Sequence, residues 1–174
     1  MGAPDRPPLR ARFVRTVGER DRVYVRRSDG SETSWEFASY GEGLPHDLVH
    51  VVVERDFGVR EGFWGRVNRG VAPARITEEA NRLGGKDKYA GFGPDQRELL
   101  IAEALAAAAG GYRPDLDDAA QHAQLVAAYA GVGLPVPGNL TVVGLGETVG
   151  RLRELQVKWQ ALVPKGTLEL EFPG

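Results

Sequence analysis

Leu44-Pro45-His46-Asp47-Leu48-Val49-His50-Val51-Val52-Val53-Glu54 places two of the chain's three histidines and two carboxylates in a run otherwise built, apart from its proline, of Leu and Val. Whether it is a strand or a helix decides the fold. Three β-branched valines in succession would suit a buried strand. Against that, Pro45 at the first helical position sacrifices no hydrogen bond and supplies a helical φ, Asp47 suits the first turn of a helix dipole, and the length favours helix. At about 100° per residue, His46, His50, Glu54 and Asp47 then fall within an arc of roughly 100°, and Leu48, Val49, Val51, Val52 and Val53 cover most of the remainder. A helix apolar on most sides is buried, so the groups of its polar seam must find partners or line a pocket.

Upstream, Leu9 to Val17 reads as a strand with Leu9, Ala11 and Phe13 on one face, and Arg22 to Arg27 as a second with Val23 and Val25 inward. Asp29-Gly30 signals a hairpin, and Glu32 to Ala38 follows with Trp35 and Phe37 on one face. A three-stranded meander with one greasy face needs a cover, and the His-bearing helix is the next apolar element. At the other end, Leu168, Leu170 and Phe172 alternate with Glu169 and Glu171. Pairing this last strand with the first would set its acidic face against Arg10 and Arg12. The expected fold is therefore α+β: an antiparallel meander closed by the C-terminal strand and packed against a central buried helix and several further helices. One domain spans 1–174, with residues 1–8 as a flexible leader.

Between the ends, Phe63, Trp64 and Val67 read as core anchors, and Ile76 to Leu83 as a short helix capped by Thr77. The glycine- and lysine-rich stretch from Gly84 to Pro94 lacks P-loop spacing and reads as a mobile loop over the pocket. Pro94-Asp95 opens an Ala- and Leu-rich helix halted by Gly110-Gly111, and Pro114-Asp115 opens another that carries His122. From Glu147 to Val163 a helix presents Val149, Leu152, Leu155, Trp159 and Leu162 as an apolar stripe, which packs on the body or forms a homodimer with a second copy.

Metal binding is the chemistry the seam offers. Histidines four apart share a helical face and can reach one ion, and a carboxylate one turn on can add a third ligand. Zinc or another divalent metal would thus take His46 and His50, with Glu54 or His122 as the third ligand. His46-Asp47-Leu48-Val49-His50 resembles the His-Glu-x-x-His signature of zinc metallopeptidases, which implies ligand roles for the histidines and a general-base role for Asp47. Asp47 is a methylene shorter than that family's Glu, and Glu54 lies nearer than the family's usual third ligand. The longer block from Leu44 to Glu54, followed by Gly62-Phe63-Trp64-Gly65, is similar to a run in uncharacterised small bacterial proteins, a resemblance that implies no activity.

Composition narrows the classes. A net charge of −2 gives no global pull towards nucleic acid or anionic membrane, and a polar outer strand face explains the N-terminal arginines, with Tyr24 the one aromatic among them. No run matches a membrane span and no signal-peptide core is visible, so a cytoplasmic location is the default. The absence of cysteine removes thiolate ligands. Leu140 to Val143, then Gly144, Gly146 and Gly150 before a helix, imitates a dinucleotide-binding turn but lacks further βα units. The expectation is a divalent-metal-binding protein, extended to a zinc-dependent hydrolase. The alternative is a non-enzymatic interaction or oligomerisation module whose His/Asp/Glu seam is structural.

Overall fold

The computed structural model of the protein describes residues 6–84, 87–110 and 117–174. Four antiparallel strands form one sheet in the order β3-β2-β1-β4: β1 (Leu9–Arg15), β2 (Arg20–Arg26), β3 (Glu32–Ala38) and β4 (Gly166–Phe172). Six α-helices accompany them among the described residues: α1 (His46–Asp56), α2 (Phe63–Asn68), α3 (Pro73–Arg82), α4 (Gln96–Gly110), α5 (Asp118–Val132) and α6 (Val142–Gln160). The fold is α+β, with the C-terminal strand in the sheet.

Alternation dictates the sheet. Leu9, Ala11, Phe13 and Val23 are fully buried and Val25 nearly so, whereas Arg10, Arg12, Tyr24 and Arg26 face out. Register follows the charges: Arg10 lies opposite Glu171 and Arg12 opposite Glu169, and Arg10 Nε donates to Glu171 at 3.1 Å. Asp29 and Gly30 turn β2 into β3. The Asp29 carboxylate accepts from the Ser31 backbone at 2.8 Å, and Gly30 sits at φ 86°, where a side chain is strained. On the outer face, Arg12 and Arg22 flank the Tyr24 ring.

The decisive run is a helix. Pro45 stands one residue before its first helical residue, and its carbonyl accepts from Leu48 and Val49. Leu48, Val51, Val52 and Val53 are completely buried, consistent with helix propensity yielding to burial on nearly every side. α1 packs against α4, on which α5 and α6 also rest. The sheet's inner face is covered by α1 together with the aromatics of α2: Trp64 lies edge-on to Phe13 at 6.1 Å and tilted to Trp35 at 5.8 Å.

Several boundaries differ from the sequence reading. Pro73, not Thr77, opens α3, and the Thr77 hydroxyl donates back one turn to the Pro73 carbonyl. Residues 140–143 form no strand. Thr141 caps α6 by accepting from Gly144 N, and Gly144, Gly146 and Gly150 lie inside the helix, so the dinucleotide-like turn does not exist. The α6 stripe packs on the chain's own body, with Leu152 and Trp159 buried and Val149, Leu155 and Leu162 against the core. Residues 1–5 of the expected leader, Gly85 and Lys86 of the glycine-rich stretch, the Gly111 stop and the Pro114-Asp115 start lie outside the described residues. Asp117 caps α5 through Ala120 N. No helix is long and apolar enough to cross a membrane, among the described residues.

Candidate metal centre

α1 carries its polar seam into a cavity of about 420 Å³ bounded by β3, α3, α4 and the segment before the 3-10 helix Ala90–Asp95. Trp35, Phe37, Tyr40 and Phe63 supply apolar wall; His46, Asp47, His50, Lys88, Tyr89 and Glu103 supply the polar groups. β3 is an edge of the sheet among the described residues, and its Trp35, Glu36 and Phe37 line the cavity.

The i,i+4 spacing brings His46 Nε2 and His50 Nε2 to 3.1 Å, with the rings nearly perpendicular and their centroids 4.6 Å apart. From α4, Glu103 closes the group, with an oxygen 3.7 Å from His46 Nε2 and the other 3.9 Å from His50 Nε2. Among the described residues these three are the set whose ligand atoms converge, all within 4.8 Å of one another. The site is graded in depth: the His50 side chain is 5% exposed, Glu103 29% and His46 46%.

Glu54 is elsewhere. It is completely buried on the opposite edge of the His50 ring, where its Oε1 accepts from His50 Nδ1 at 3.0 Å. The same oxygen accepts from Phe63 N at 3.0 Å, and Oε2 accepts from Trp64 N at 2.9 Å. A buried carboxylate thus satisfies the first turn of α2, whose N–H groups would otherwise be orphaned. Gly62 makes this approach possible, since a Cβ there would stand 2.6 Å from the Glu54 carboxyl carbon. With both oxygens engaged on the far side of the His50 ring, Glu54 lies outside the converging group. A proton on His50 Nδ1 suits this bond and leaves Nε2 as the ring nitrogen facing the cavity, the arrangement that carboxylate–histidine pairs adopt behind metal ions.

His122 is not in the cluster either, because its Nε2 donates to the Leu140 carbonyl at 2.8 Å. Asp47 lines the cavity and is held by two indoles: Trp35 Nε1 donates to its Oδ2 at 2.9 Å and Trp64 Nε1 to its carbonyl at 2.8 Å. Glu103, absent from the sequence reading, had one signal: it is the lone charge in an apolar run from Leu99 to Gly110. Tyr89 donates to Glu103 at 2.6 Å and Lys88 Nζ lies 3.5 Å from the same oxygen. The described part of the glycine-rich segment therefore does border the pocket.

Electrostatics follow from this packing. Burial works against charge on His50, but the Glu54 hydrogen bond and charge, with Glu103 and Asp47 adding to them, hold its pKa above the usual imidazole value. Burial also raises Glu54, against the pull of His50 and the two backbone donors. The two backbone donors to Glu54, Phe63 N and Trp64 N, favour its carboxylate form. Burial would raise Glu103, yet the nearby His46 ring, the Tyr89 hydrogen bond and the charges of His50 and Lys88 bring it down to about 2. Asp47 is raised by burial, opposed by the Trp35 indole and the histidines.

Comparison of the chain with protein-family models, curated proteins and solved structures gives no match in any of the three.

Proposed function

We propose that the protein binds one divalent transition-metal ion through His46 Nε2, His50 Nε2 and Glu103, and that it uses the ion in hydrolysis. The observation that carries this reading is the opposed arrangement of His50: Nδ1 is committed to a buried carboxylate, while Nε2 faces another Nε2 and a carboxylate across a cavity. Tetrahedral zinc with ligand distances of about 2.0–2.1 Å spaces two nitrogens by roughly 3.3 Å. The Nε2 pair meets that spacing within a few tenths of an ångström, and Glu103, whose two oxygens approach different histidines, lies within reach of both, with the three ligand atoms inside 4.8 Å of one another. Two histidines and one carboxylate, with no thiolate, suit zinc and equally manganese or iron(II).

A bound divalent ion would supply Lewis acidity at the cavity wall. The chain's own residues do the rest. Asp47, partly buried and oriented by Trp35, is the proton acceptor on the cavity side of the seam. Tyr89 holds Glu103 in place from the opposite wall. Glu54 orients His50 from behind.

The test is the metal content of protein purified without a tag or chelator, for wild type and His50→Ala. Near one zinc, manganese or iron per chain, lost in the variant, is expected. Absence of metal, with no stabilisation on adding any of these ions, refutes the ligand set. For the hydrolytic step, Asp47→Asn should retain the metal yet hydrolyse p-nitrophenyl acetate at least about a hundredfold more slowly, the ordinary contribution of a general base. Equal rates would remove Asp47 from that role.

A further inference from the structure

Resting on that metal-site reading, we infer that the cavity takes a small monoanionic ligand with a flat apolar body, its carboxylate lying beside Lys88 at the open face of the His46–His50–Glu103 cluster. Size sets the first limit. About 420 Å³ is near the small end of small-molecule sites, which run from about 300 to 1,000 Å³. The walls set the second, because Trp35, Phe37, Tyr40 and Phe63 offer ring faces and edges that favour a planar partner over a branched one. Trp35 and Phe63 already meet edge-on at 6.0 Å, leaving a stiff wall on that side.

Charge sets the third limit. Glu36 at the rim is neutralised by Arg22 at 2.8 Å and by Arg20 at 3.3 Å, so it adds little repulsion. Inside, among the described lining residues, the carboxylates of Glu103 and Asp47 face the one Lys88 ammonium in the metal-free chain, and an anion is repelled. A divalent ion reverses the balance: its two positive charges with that of Lys88 outweigh the single negative charges of Glu103 and Asp47 by one. The cavity therefore accepts a single negative charge only when the metal is in place. By linkage, the anion and the ion must raise each other's affinity by the same factor. Lys88, 30% exposed and reaching the Glu103 oxygen from the cavity side, is the group that a ligand carboxylate would share.

Benzoate is the probe, with benzamide as its uncharged counterpart and acetate as the anion without a ring. Zinc stoichiometry is established first; calorimetric titrations then compare zinc-loaded and metal-free protein. The cobalt(II)-substituted protein, whose visible spectrum reports changes around the ion, serves as a second readout. Benzoate should bind the zinc-loaded protein at least tenfold more tightly than benzamide or acetate, bind the metal-free protein at least tenfold more weakly, and perturb the cobalt spectrum. Lys88→Gln should keep one zinc per chain, bound as tightly or more tightly because a competing cation beside Glu103 is gone. Its benzoate affinity should fall about tenfold or more, as expected for a lost charge-assisted hydrogen bond. If the chain takes up no zinc, the metal reading fails and this one with it. If zinc binds but benzoate does not, or benzamide binds as well, or Lys88→Gln binds benzoate like wild type, the metal reading stands and this inference is overturned.

Discussion

Glu54→Gln is the sharpest single test, because it changes one atom type at a residue that joins the core to the candidate site. In the wild type, two carboxylate oxygens receive three N–H groups, from His50, Phe63 and Trp64. A primary amide has one oxygen, so whichever way it lies one buried backbone N–H faces an NH₂ group. If the oxygen stays near Phe63 and His50, Trp64 N loses its acceptor. If it turns to Trp64, Phe63 N loses its acceptor and His50 must move its proton to Nε2, which removes the lone pair from the cavity. An unmatched buried N–H costs about 1–3 kcal/mol, and a chain of this size loses about 2–4 °C of Tm per kcal/mol. Either orientation also removes the negative charge behind His50, and loss of such a partner typically weakens a metal site 10- to 100-fold. Denaturant unfolding of the variant, metal-free and at fixed free zinc, measures both effects in one cycle. The metal-free protein should be less stable by about 1–3 kcal/mol, and the extra stabilisation from zinc should shrink by about 1.4–2.7 kcal/mol. Wild-type stability in the variant would refute the hydrogen-bond account, and an undiminished zinc increment would refute Glu54 as the residue orienting His50.

Paired variants separate the two candidates for a third ligand: Glu103→Gln should weaken metal binding by at least tenfold, whereas His122→Ala should keep the metal and lose only about 1 kcal/mol with the Leu140 hydrogen bond, as read by equilibrium dialysis and thermal unfolding. Gly62→Ala puts a methyl group against a carboxyl that three donors hold in place, so it should cost about 1–3 kcal/mol as an overpacked core does, and a neutral result in chemical denaturation would contradict the close approach. Tyr129 is 3% exposed, and its buried hydroxyl has no hydrogen-bond partner among the described residues; burial, with Glu98 adding to it, pushes the phenol up to about 12. Because the folded value lies above the unfolded one of about 10, its contribution is fully present below pH 10 and is lost as pH rises towards 12. Tyr129→Phe should therefore match or slightly exceed wild type at neutral pH, and its advantage should grow by about 1–2 kcal/mol between pH 10 and 12; a constant difference would show that the phenol does not ionise more readily on unfolding.

Legibility in the sequence tracked the range of the interaction. Strand faces were readable because alternation is local, and the β1–β4 pairing because Arg10 and Arg12 found complementary charges in Glu171 and Glu169. The α1 seam was readable because i,i+4 geometry is a property of the helix alone. Glu103 was not, since nothing within α4 says which other helix its lone carboxylate will face. Glu54 was placed on the right face of the helix, but its partners are the N–H groups of α2, and no side-chain pattern announces a demand from backbone donors. Residues 140–143 show the same limit: Leu140-Thr141-Val142-Val143 is apolar enough for a strand, and the Thr141 cap, accepting from Gly144 N, decides for helix.

A purely structural seam and a metal site make different demands on His50, and the difference lies at Nε2. The hydrogen bonds that organise the core, from His50 Nδ1, Phe63 and Trp64 to Glu54, are complete without that atom. If the seam served packing alone, an apolar residue in place of His46 would be the cheaper neighbour on a helix already walled with valine. Instead, Nε2 of a nearly buried histidine is aimed at a second imidazole and at a carboxylate from another helix, in a cavity that also holds Lys88 and Asp47. His46→Leu therefore discriminates between the two. Under the structural reading it should stabilise the chain by relieving a partly buried polar contact and change nothing else. Under the metal reading it should leave the metal-free fold as stable or more so, because the Glu54 network is untouched, and abolish stabilisation by zinc. Zinc stabilising this variant as much as wild type would remove His46 from the site.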